Sequence, residues 1–86
     1  MGLDTVEFLM LAEKEFGIKI TDAEAGEIYT VGQFTRLCHT KLNEKSNNNY
    51  DEAHVFIKLS QILRERFGIK KPIKREDLIV KDLQLD

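Results

Sequence analysis

The chain has 86 residues, 42% of them hydrophobic, with one proline, no tryptophan and a formal net charge of −2. That is one small domain able to bury a modest core without metal, and the single cysteine, Cys38, excludes an internal disulfide and points to a reducing compartment. No run of about 18 apolar residues exists and no signal-peptide pattern opens the sequence, so a cytoplasmic protein without a membrane span is expected.

Charge is uneven along the chain. Residues 1–35 hold seven acids against two lysines, a balance of −5, and residues 36–86 carry a balance of +3. One half neutralising the other on folding accounts for this; the functional account is an acidic docking surface on the first half.

Leu3 to Lys19 predicts a central helix. Asp4 is a good N-cap with Glu7 at the capping-box position, Leu3 and Phe8 can form a hydrophobic staple, and Gly17 is a natural stop after Phe16. Val6, Phe8, Leu9, Met10, Leu11 and Ala12 give more apolar surface than one face needs, so contact from several sides is expected. The clearly polar strip is narrow: Asp4, Glu7 and Lys14.

Thr21 or Asp22 can cap a brief helix over about Asp22 to Glu27, which Gly26 weakens and which needs Ala25 and Ile28 to pack on something. Thr30 starts the next helix with Gln33 at its capping-box position, and Val31, Phe34, Leu37, Cys38 and Leu42 recur at helical spacing. That helix is expected to end near Leu42. Residues 43–50, NEKSNNNY, read as a flexible linker. Asp51 can cap a third long helix carrying Val55, Leu59, Ile62, Leu63 and Phe67, widened by Phe56 and Ile57 and closed by Gly68. The phrase Phe67-Gly68-Ile69-Lys70 echoes Phe16-Gly17-Ile18-Lys19. A loop with Pro72 and one turn near Arg75 leads to an apolar tail of Leu78, Ile79, Val80, Leu83 and Leu85 before Asp86.

No catalytic constellation, glycine-rich phosphate loop or nucleophile motif is present, so an enzyme is not expected. His39, His54 and Cys38 lack metal-ligand spacing. The basic run Lys58, Arg64, Arg66, Lys70, Lys71, Lys74 and Arg75 lacks interleaved aromatics, and in a net negative chain it reads as a solvated face rather than a nucleic-acid or membrane surface.

Two stretches carry a family resemblance. LDTVEFLMLAEKEFGIKITDAEAGEIYTVGQF resembles the second half of an acyl carrier protein, whose fourth helix opens with a Thr-Val pair, as at Thr30-Val31. VFIKLSQILRERFGIKKPIKREDLIVKDLQLD resembles the first half of the same family. The halves stand in reversed order: Asp86 read onward into Gly2-Leu3-Asp4 is close to the family phrase Asp-Ser-Leu-Asp. The resemblance therefore implies one all-α domain over residues 1–86, an antiparallel four-helix bundle of three long helices and one short, circularly permuted. Residues 1–42 would be the family's second half, 43–50 the joining linker and 51–86 the first half. About ten flexible residues reach on the order of 15–20 Å, enough to join neighbouring helix ends.

The family attaches phosphopantetheine to a serine at the start of its second helix. Gly2 holds that position here and offers no hydroxyl, so no cofactor is expected. Thr5 is a substitute by its Gly-Leu-Asp-Thr context, although the family's spacing counted back from Phe16 reaches Gly2. Partner-facing acids of the family fall on Asp86, Asp4, Glu7 and Glu13, and its next acid falls on Lys14; capping and solvated faces are the plain alternative. The family's acyl pocket maps to Val6, Met10, Ala25 and Ile28, with core packing as the plain alternative. The expected function is a carrier-like docking module of fatty-acid or polyketide-type biosynthesis that meets basic surfaces of carrier-dependent enzymes, or a permuted chain made for folding work. The alternatives are a working carrier modified on Thr5 and a domain-swapped dimer in place of a monomer.

Overall fold

The computed structural model describes residues 3–45 and 51–85. Its elements are α1 (Leu3–Phe16), α2 (Asp22–Ala25), α3 (Val31–Lys45) and α4 (Glu52–Phe67). Three long helices and one short one make an all-α protein, and among the described residues the sole β pairing is an isolated antiparallel bridge between Thr30 and Leu78. The α3 and α4 helices form the main pair, and α1 packs on both.

Local chemistry accounts for most boundaries. Thr21 and Glu24 form a full capping box on α2. Thr30 and Gln33 form another on α3, with Gln33 N–H donating to Thr30 Oγ1 at 3.1 Å and Thr30 N–H to Gln33 Oε1 at 3.0 Å. Gly17 (φ 64°) and Gly68 (φ 67°) end α1 and α4 in the left-handed conformation that glycine adopts at little cost. The Ile18 amide then bonds Glu13 O, while the Ile69 amide bonds Leu63 O.

Three boundaries differ from the sequence reading, the first being α2, which stops at Ala25, short of the expected Glu27. Leu3 is already helical, so Asp4 lies in the first turn of α1 and not at its cap; the cap falls outside the described residues. The α3 helix continues through Asn43, Glu44 and Lys45, which the sequence assigns to the linker. Long-range and local bonds hold that extra turn: Lys45 Nζ donates to Gly17 O, and Asn43 Nδ2 pairs with His39 Nε2 at 3.2 Å. The remaining linker positions, 46–50, lie outside the described residues. Asp51 does stand at the N-cap of α4, with extended backbone and no side-chain capping bond.

The core is centred on Phe8. Its ring meets Phe34 of α3 edge to face at 5.0 Å and Phe67 of α4 at 6.1 Å. Such pairs contribute about 0.5–1.5 kcal/mol each beyond burial. Ala12, Val31, Phe34, Cys38, Val55, Leu59 and Leu63 are fully buried around it. The segment after α4 closes the open end, with Ile73, Ile79, Leu83 and Leu85 in the same cluster. Its carbonyls also take the orphan amides at the start of α3: Val31 N–H donates to Asp77 O and Gly32 N–H to Arg75 O. Arg75 lies over the Phe56 ring at 5.3 Å and pairs with Glu52 at 3.0 Å, which pins this segment to α4. Among the described residues, no helix is long and apolar enough to cross a membrane.

Candidate docking surface

The α1 helix is buried on one side only. Phe8 and Ala12 are fully buried, but Val6 is 40% exposed and Met10 61%. The expectation of contact from several sides is met in part: α3 and α4 both pack on α1, and nothing among the described residues covers the face bearing Val6 and Met10. Those two residues are one turn apart, with Lys14 a further turn along the same stripe. Glu7 is exposed beside them and Asp4 is half-buried. The outcome is a narrow apolar ridge with an acidic margin at its leading end. Unbranched Met10 suits such a ridge because it adapts to different partners.

The other residues named from sequence are placed differently. Glu13 is half-buried, and its Oε2 accepts the Ile20 amide at 2.7 Å. Its carboxylate therefore anchors the α1–α2 connection. Ala25 is 6% exposed, and Ile28 is half-buried against the core. Val6 and Met10 are thus exposed where Ala25 and Ile28 are covered. Thr5 is 6% exposed. Gly2 and Asp86 lie outside the described residues.

A second apolar surface went unread in the sequence. Tyr29 is 62% exposed, and the bridge places it beside the segment bearing Leu78 and Val80, both exposed. The Ile79 amide donates to Tyr29 O at 2.9 Å, so Leu78 and Val80 point outward while Ile79 points in. Residues 79–82 form a turn, with the Asp82 amide donating to Leu78 O at 2.9 Å, and no strand-like alternation in the sequence announces which of these side chains stay outside.

The polar sites are plain. Cys38 is buried, and desolvation pushes its thiol up to about 12 against a smaller opposing pull from Lys41. Among the described residues, no group of three or more His, Cys, Asp or Glu side chains gathers as a metal site. The Glu24 carboxyl lies below its ordinary value, first because the Thr21 amide donates to it and then because Lys41 does. No family model matches the sequence, and no solved structure matches it.

Proposed function

We propose that this chain is a circularly permuted, carrier-protein-like docking module that takes no phosphopantetheine. It belongs to fatty-acid or polyketide-type biosynthesis on this reading, is not itself an enzyme, and meets the basic surface of a carrier-dependent partner through the leading half of α1. The observation that carries the proposal is the exposure of Val6 and Met10 beside Glu7 on a helix whose other flank is core. An apolar ridge with an acidic margin fits a partner pocket rimmed by lysine or arginine, with the charges setting the encounter rate and the apolar pair the residence time. The burial of Thr5 speaks against the reading in which it carries the arm. The helix order and the burial of Leu83 and Leu85 in the core cluster that holds Phe8 support the permuted reading.

Two measurements test this. Mass spectrometry after incubation with a phosphopantetheinyl transferase and coenzyme A should show no added arm; a gain of its mass overturns the proposal. Calorimetry against carrier-dependent ketosynthases and acyltransferases should show binding that weakens with salt. Met10→Glu should weaken it about tenfold or more. Binding indifferent to both salt and Met10 removes α1 from the interface.

A further inference from the structure

The 18–30 segment is fixed at both ends and weakly held between them. At its start, Glu13 of α1 accepts the Ile20 amide. At its end, Gln33 Oε1 accepts the amides of Tyr29 at 2.7 Å and Thr30 at 3.0 Å. Between these points lies α2, only four residues long. A helix of one turn does not persist alone in water, and Gly26 follows it directly. Its apolar anchors are Ala25, fully packed, and Ile28, half-buried.

One carboxylate supplies the rest. Glu24 Oε1 accepts the Thr21 amide at 2.9 Å, the Thr21 hydroxyl at 3.1 Å and Lys41 Nζ of α3 at 2.9 Å. The first two bonds hold the turn together. The third, among the described residues, is the polar tie between α2 and another helix. The Glu24 side chain is 34% exposed, so solvent and partners reach it.

We propose that α2 is a latched flap, held shut by Glu24 and free to swing out on its two fixed ends when that carboxylate loses its partners, while the three long helices stay folded. Opening exposes Ala25 and Ile28 and so extends the apolar surface that begins at Tyr29. The flap does not depend on the docking reading, because it is measured with no partner present, and either can fail alone.

Acid works the latch. Lys41 on α3 faces it, its own segment carries Asp22 and Glu27 in sequence, Glu13 on α1 is taken up by the Ile20 amide, and Lys19, Glu44 and Lys45 ring the hollow that Lys41 also lines. Glu24 is lowered on folding, so its contribution is present above its ordinary value of 4.5 and is lost as the pH falls through the lower folded value.

Native-state hydrogen exchange by NMR tests the proposal. The reporters are the amides of Gly26, Glu27 and Ile28, which donate to Asp22 O, Glu24 O and Ala25 O. In Glu24→Ala these should exchange about tenfold faster or more, with the core amides of Phe34 and Leu59 unchanged. Glu24→Gln keeps a capping-box side chain but drops the ion pair, and should give a smaller local gain. Acceleration of all amides together, or of none in either variant, overturns the flap.

Discussion

Ser60 has a hydroxyl oxygen hidden from solvent with no hydrogen-bond partner among the described residues. A buried unmade bond costs roughly 1–3 kcal/mol. Ser60→Ala should therefore stabilise the protein by about 1 kcal/mol, since alanine also favours the helix; a lower thermal midpoint for the variant contradicts this. Thr35 is the contrasting case: equally enclosed, its Oγ1 donates to Val31 O at 2.8 Å. Cys38 makes a third argument at this scale. Its thiol stays neutral in the folded state to about 12, while the unfolded thiol ionises near 9.0. Stability linked to Cys38 is thus intact below pH 9 and declines as the pH rises from there toward 12. Cys38→Ala should flatten that alkaline decline, and the native thiol should resist a disulfide reagent until the protein unfolds. Fast labelling of the folded protein at neutral pH refutes the burial argument.

At the scale of elements, α3 and the 73–79 segment approach closely at Gly32. A Cβ on Gly32 would lie 3.0 Å from Arg75 O and 3.2 Å from Arg75 Cβ. The loop cannot easily retreat, because Val31 and Gly32 both donate into it and Arg75 is held by Glu52 and Phe56. Gly32→Val should destabilise by about 1–3 kcal/mol despite better helix propensity. Chemical denaturation reads this directly, and an unchanged midpoint would show that the loop moves freely. The exposure of Ile57, 54%, fits the same packing: Arg75 covers Phe56, and none of the described residues buries the next residue on α4.

For the whole molecule, the decisive feature is the tail. Leu85 is 3% exposed and shares the cluster containing Phe8 and Ala12 of α1. Gln84, just before it, adopts φ 58°, a left-handed backbone that a non-glycine residue takes at some cost, so burial of Leu83 and Leu85 outweighs that strain. A chain with Asp86 joined directly to Gly2 and opened within residues 46–50 tests the permuted reading. It should fold with the same circular dichroism and a single cooperative transition. A rejoined chain that fails to fold, while the present one does, sinks the permutation. Light scattering over a range of concentrations separates a monomer from the swapped dimer, which appears as a mass that doubles.

Helix placement was legible because its signals are local. The cap at Thr21, the box at Thr30/Gln33, the glycine stops at Gly17 and Gly68, and the periodicity of Val31 to Leu42 each lie within one or two turns of what they determine. The candidate surface was legible only in part. Val6 and Met10 share the character of their buried neighbours Phe8 and Ala12, and nothing in α1 itself says which stripe α3 and α4 will cover. Glu13 reads as one acid among several until the Ile20 amide arrives from beyond the helix. The extra turn of α3 depends on the carbonyl of Gly17, just past the end of α1. By itself the sequence determined where the chain turns and where it coils; the tertiary structure alone decided which apolar and charged groups remain available, because burial depends on contacts between segments distant along the chain.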